Sequence, residues 1–156
     1  MLDRIMNRYA SCGPLAVRIV AGVIFLMHGS QKLFGAFGGG GIEGTSRFFE
    51  QAGIAPGVFW AWVIGLVEFF GGLALLLGVL TRYAALLLGV EMLVAVLVVH
   101  LPHGFFLPQG FEYPLAMLGI CVTLLLSGAG ELAIDPFINR RLSQHRHGGE
   151  AHGATA

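Results

Sequence analysis

The sequence predicts an all-α integral membrane four-helix bundle, with a short amphipathic helix in its first extracytoplasmic loop. Composition points there first: of 156 residues 56% are apolar and 12% charged, and the mean hydropathy is +0.78, whereas soluble domains carry about 25% charged residues. The apolar residues also gather into runs at approximately 15–34, 58–80, 83–101 and 113–126, and a spanning helix needs ~20 residues. Finally, Glu68 and Glu91 each sit near the middle of such a run. An isolated charge at mid-bilayer costs roughly 2.5–3.5 kcal/mol on insertion scales, so both carboxyls are expected to face the bundle interior and mark a functional site.

Taken in order, the run 15–34 carries Arg18, His28, Gln31 and Lys32. It lacks a small-residue cleavage pattern after a clean apolar region and reads as a retained first helix rather than a signal peptide. Segment 35–57 is glycine-rich: residues 38–41 break structure, and 45–52 (TSRFFEQA) forms a short amphipathic surface helix opened by Thr45 or Ser46. Pro56-Gly57 closes the segment. Only Thr81-Arg82 separates the second and third runs, which makes those helices antiparallel neighbours. The fourth run is short, so it stands nearly upright or extends at one end. Residues 1–139 thus form one transmembrane domain, and 140–156 (RRLSQHRHGGEAHGATA) form a disordered polar tail whose histidines His145, His147 and His152 are solvated.

Basic residues set the direction. With a cytoplasmic amino terminus, that side holds Arg4, Arg8, Arg82, Arg140, Arg141 and Arg146, against Lys32 and Arg47 opposite, so both termini are expected inside. Small residues recur at four-residue spacing in Ala61/Gly65, Ala74/Gly78, Ala85/Gly89 and Gly119/Thr123/Ser127, the pattern that lets helices approach closely in lipid. Cys12 and Cys121 read as packing residues, not a disulfide framework. The formal net charge is zero with no basic stripe, which leaves nucleic acid no electrostatic footprint. The expected partners are the lipid bilayer, proteins and small molecules.

Glu68 lies ten residues into run two and Glu91 eight into run three, so antiparallel helices bring them to similar depth. Two carboxyls that meet there cannot both ionise cheaply and are suited to holding a proton. Arg18 either supplies a counter-charge or snorkels to the nearer surface. At 100° per residue Arg18, His28 and Lys32 fall within a wedge of about 80°, with Gln31 further round. His100 and His103 (HLPHGFF) and Glu112 (GFEYP) lie at the same end as His28. These side chains are either a weak metal site, with His100 and His103 as candidate ligands, or interfacial residues without metal. Phe34, Phe37, Phe48, Phe49, Phe59, Trp60, Trp62, Phe105, Phe106, Phe111 and Tyr113 cluster toward that end, as an aromatic belt or as walls of a pocket for a ring-shaped, lipid-soluble ligand such as a quinone. No motif for a bound cofactor occurs. A quinone would come as a diffusible substrate. The expected pocket lies in the outer half of the bundle, between spans one, three and four, with Glu68 at its floor.

The stretch from Arg18 through Gly22, Phe25, His28, Gly29 and Lys32 to Gly35 resembles the first-helix signature of the DoxX family. Val67-Glu68-Phe-Phe-Gly71-Gly72 through Thr81-Arg82, His100 with Gly104-Phe105-Phe106, Glu112 and Gly128 to Asp135 resemble its later segments. The resemblance implies a small multi-pass protein of the bacterial inner membrane, linked in some relatives to quinone-coupled oxidation of sulfur compounds or to oxidative-stress complexes with soluble redox enzymes. It carries over to Arg18, His28, Gln31, Lys32, Glu68, Glu91, His100 and Glu112. The leading expectation is a membrane subunit of a quinone-linked redox system, with Glu68 and Glu91 handling protons and Arg18, His28, Gln31, Lys32, His100 and Glu112 contacting ligand. Alternatives are a non-catalytic small-molecule or lipid binder or transporter, which four helices serve best as a homo-oligomer, and a structural membrane organiser.

Overall fold

A computed structural model describes residues 12–130 and 133–135; the tail 140–156 and the basic residues before Cys12 lie outside them. The described residues contain helices and loops and no strand. The helices are α1 (Gly13–Phe34), α2 (Gly41–Gln51), α3 (Gly57–Leu77), α4 (Thr81–Val94) and α5 (Glu112–Ser127). A 3-10 turn, Ala36–Gly38, follows α1. Beyond Val94, α4 continues as a π-helical segment, Ala95–His100, and a 3-10 turn, Leu101–His103. Three helical stretches, Gly13–Phe34, Gly57–Leu77 and Thr81–His103, are long and apolar enough to cross a membrane, and α5 is a shorter apolar helix.

Local chemistry sets the boundaries. Pro14 sits in the first turn of α1, where a missing N–H costs nothing, and Gly35 ends that helix at φ 67. α3 stops at Leu77, three residues before the apolar run does. Gly78 adopts φ 66, and the Gly78 and Val79 N–H groups donate to the Leu75 and Ala74 carbonyls, a Schellman stop. The link is therefore Gly78, Val79 and Leu80, and Thr81 and Arg82 begin α4 instead of forming the link. α2 starts at Gly41, ahead of the expected Thr45 or Ser46. An ion pair between Glu43 and Arg47, one turn apart, supports the added turn. Thr45, Ser46 and Phe49 face inward while Glu43, Arg47 and Glu50 face out.

Packing divides the helices into two pairs, α1 along α3 and α4 along α5. The first pair crosses at glycine: a Cβ on Gly72 would lie 2.8 Å from the Gly22 carbonyl oxygen, and one on Gly29 would meet the Phe69 backbone. Backbones this close gain dispersion that larger residues would forbid. In the second pair Gly89 faces Cys121, and Ala85, Leu88 and Leu124 share the buried core around them. Ala61 and Gly65 are likewise buried. Gly119, Thr123 and Ser127 are not: α5 buries Met117, Cys121 and Leu124, which turns that stripe outward. Thr123 and Ser127 satisfy their hydroxyls on carbonyls one turn back. The two pairs meet at Gly71 and Leu88, near the α3–α4 turn.

Candidate functional site

Away from the α3–α4 turn the helix pairs enclose a cavity of about 620 Å³. α1 supplies His28 and Lys32, α3 supplies Glu68, α4 supplies Glu91 and His100, and α5 supplies Tyr113. Phe49 of α2 and Trp60 of α3 also reach it, and the remaining wall is almost wholly apolar. The cavity extends to the molecular surface along α4, where Leu87, Val90 and Val98 belong to its lining and are each about half exposed.

Its polar floor is a chain of three groups. The Lys32 Nζ lies 2.5 Å from Glu68 Oε2, and the Glu68 side chain is 4% exposed. The Glu91 carboxyl lies within hydrogen-bonding reach of the Glu68 carboxyl and within range of the Lys32 charge. Glu91 Oε2 is buried with no donor beside it. Lys32, Glu68 and Glu91 thus set one ammonium beside two carboxyl groups in an otherwise apolar wall. The His28 ring lies 6.3 Å from the Tyr113 ring, centroid to centroid, and both His28 and Tyr113 feel the Glu68 charge.

His100 reaches the cavity through the π segment. Nine residues after Glu91, an unbroken α-helix would place it on the opposite face; a wider π turn advances less per residue and returns it toward the lining. Its Nδ1 contacts the Gln109 carbonyl at 2.7 Å, a contact that needs the proton on Nδ1 and leaves Nε2 as an acceptor in the neutral ring.

The other candidates lie elsewhere. Arg18 is 2% exposed and does not snorkel. Its Nη1 donates to the Ala129 carbonyl at 2.8 Å, and its guanidinium packs on Gly78, so it ties α1 to the α3–α4 turn. Gln31 packs its stem against Gly39. Glu112 accepts the Leu107 N–H at 2.7 Å and does not pair with Lys32, whose long stem carries its ammonium down to Glu68 instead. His103 contacts the Val99 carbonyl. No group of three or more His, Cys, Asp or Glu side chains suited to a metal forms among the described residues. In the sequence Tyr113 groups with the aromatics of a belt or pocket wall, and only its register with His28 could have singled it out. The capping role of Asp135 escaped the sequence reading. Asp135 accepts the Leu80 and Thr81 N–H groups at 2.6 and 2.9 Å, capping α4 from 54 residues away.

The DoxX family model matches residues 13–101, from the start of α1 through the π segment. The chain is 34% identical over 133 residues to "Putative oxidoreductase CatD" of Bacillus subtilis (strain 168), covering 85% of this chain and 92% of that protein. It is 32% identical over 149 residues to "Uncharacterized membrane protein Rv3486" of Mycobacterium tuberculosis, covering 88% of each. To "Inner membrane protein YqjF" of Escherichia coli (strain K12) it is 33% identical over 142 residues, covering 87% of this chain and 99% of that protein. No solved structure matches. With the family match spanning α1 to His100 and these relatives matched along most of their length, the chain is a membrane protein that belongs to the DoxX family.

Proposed function

We propose that the protein is a four-span subunit of a quinone-linked redox or oxidative-stress system in the bacterial inner membrane, with both termini cytoplasmic. The observation that carries this reading is the Lys32, Glu68 and Glu91 cluster at the floor of an apolar cavity beside His28 and Tyr113. Ring reduction and oxidation couple electrons to protons, so a site for them needs donors and acceptors near the ring oxygens. Here Lys32 and Tyr113 donate to a ring oxygen, Glu68 and Glu91 hold a proton, and the apolar wall takes the ring and tail. The label of the Bacillus subtilis relative agrees with redox work. Electrons come from a partner enzyme, since the proposed substrate is diffusible. A second reading, a non-catalytic binder or carrier, is favoured by the surface opening along α4. A short-tailed quinone analogue should bind purified protein in detergent. Its affinity should fall about tenfold or more in a Lys32→Ala variant that keeps its fold, given the loss of a charge-assisted contact worth about 1.5–3 kcal/mol, and less steeply in Tyr113→Phe. Unchanged affinity in both variants removes the cavity as the site; binding with no electron transfer to any co-purifying partner favours the carrier.

A further inference from the structure

The cavity is closed on some sides and open on one. α2 and the loop after it lay Phe48, Phe49 and Ile54 along one end, and between α1 and α5 the His28 and Tyr113 rings stand against each other. The α3–α4 side is different. These helices touch at Gly71 and Leu88 near their short link, then pack on separate partners, α3 on α1 and α4 on α5, and the cavity lies between them. On α4, Leu87, Val90, Val94 and Val98 recur at helical spacing, line the cavity and are each about half exposed. On α3, Val63, Ile64 and Val67 line it and are half-buried. Glu91 follows Val90 and Glu68 follows Val67, so the two apolar walls end at the carboxyl groups. Both walls belong to helical stretches long and apolar enough to cross a membrane, and Val90 and Val94 sit near the middle of the stretch Thr81–His103. That depth sets the opening against hydrocarbon rather than water.

A slot of this kind suits a molecule with two unlike ends. Lys32, Glu68, Glu91, His28 and Tyr113 take a small polar head, and a single ring fills only part of a cavity of about 620 Å³. The remaining wall is apolar and offers nothing to a polar solute arriving from water. A hydrocarbon tail gains little by exchanging lipid for that wall, since the two are equally apolar. The slot therefore supplies passage rather than affinity: the tail stays in the bilayer while the head reaches the carboxyl groups. We propose that the α3–α4 slot is a lateral portal, through which a long-chain amphiphile enters with its head at the carboxyls and its prenyl or alkyl tail trailing into the bilayer. The portal rests on the quinone reading only for the identity of the head.

The first measurement uses no quinone. In a Cys12→Ser background that leaves Cys121 buried, a bimane is attached at V67C and the protein is reconstituted in phosphatidylcholine vesicles. Lipid carrying a nitroxide midway along one acyl chain should quench this label at least half as well as it quenches one at L66C, on the exposed side of the same helix. Val94→Trp, which plugs the slot, should remove most of the quenching at V67C and none at L66C. No quenching of V67C by the lipid overturns the proposal, whether or not iodide in the water quenches it. Val98→Trp, one turn further along the wall, replaces Val94→Trp if that variant does not fold. The second measurement concerns the tail. A benzoquinone bearing a decyl chain should lose about tenfold in affinity or more in Val94→Trp, while the same ring bearing a methyl group binds as before. Equal loss of both compounds, or of neither, overturns the path of the tail. If neither compound binds the unmodified protein, the quinone reading fails and the V67C measurement alone decides the portal.

Discussion

Lys32 shows how much one side chain can decide. It is the cation against a Glu68 carboxylate that is otherwise buried, and removing one member of such a pair leaves an uncompensated charge costing about 3–5 kcal/mol. Lys32→Met should therefore destabilise the folded protein by that order, and Lys32→Met/Glu68→Met should recover most of the loss. Thermal unfolding in detergent measures both; equal stability of the single and double variants would show that the pair is not coupled. The approach of Glu68 to Glu91 was legible, because depth along antiparallel helices can be counted from sequence. The partner of Lys32 was not: four methylenes let an ammonium sit a turn away from its own backbone, which depth counting does not reveal. His100 was found for an incomplete reason, since its end of the helix was clear and the π turn that aims it was not.

Among the elements, glycines that look alike on paper separate by what surrounds them. A side chain on Gly72 would strike the α1 backbone, whereas one on Gly119 has nothing within 4 Å. Gly72→Ala should cost about 1–3 kcal/mol through overpacking, while Gly119→Ala should be neutral or stabilising by up to about 1 kcal/mol from helix propensity. Melting temperatures of the two variants check this, and a shift of the same sign in both contradicts the packing described. Helix existence and type followed from the apolar runs, and the α3–α4 neighbourhood from their short separation. The ends did not, because they rest on a left-handed Gly78 and a cap from Asp135 that arrives from far along the chain. The outward stripe on α5 was misread for a related reason: four-residue spacing says that residues share a face, not which face.

For the molecule as a whole, the basic residues predict one orientation. Reporter fusions after Leu142 and within residues 38–41 should fall on opposite sides of the membrane, with the first in the cytoplasm; the same side for both would refute it. The protein also carries its own gauge of opening. Cys12 is exposed and Cys121 buried, the latter behind Glu91 where α4 packs on α5. In one sample the first thiol counts the molecules and the second counts the moments when the α4–α5 pair comes apart. With a maleimide, where reclosing is faster than labelling, the ratio of slow to fast labelling follows the equilibrium constant for separation, with no cysteine introduced. A ligand that draws the walls of the cavity together would slow Cys121 and leave Cys12 unchanged.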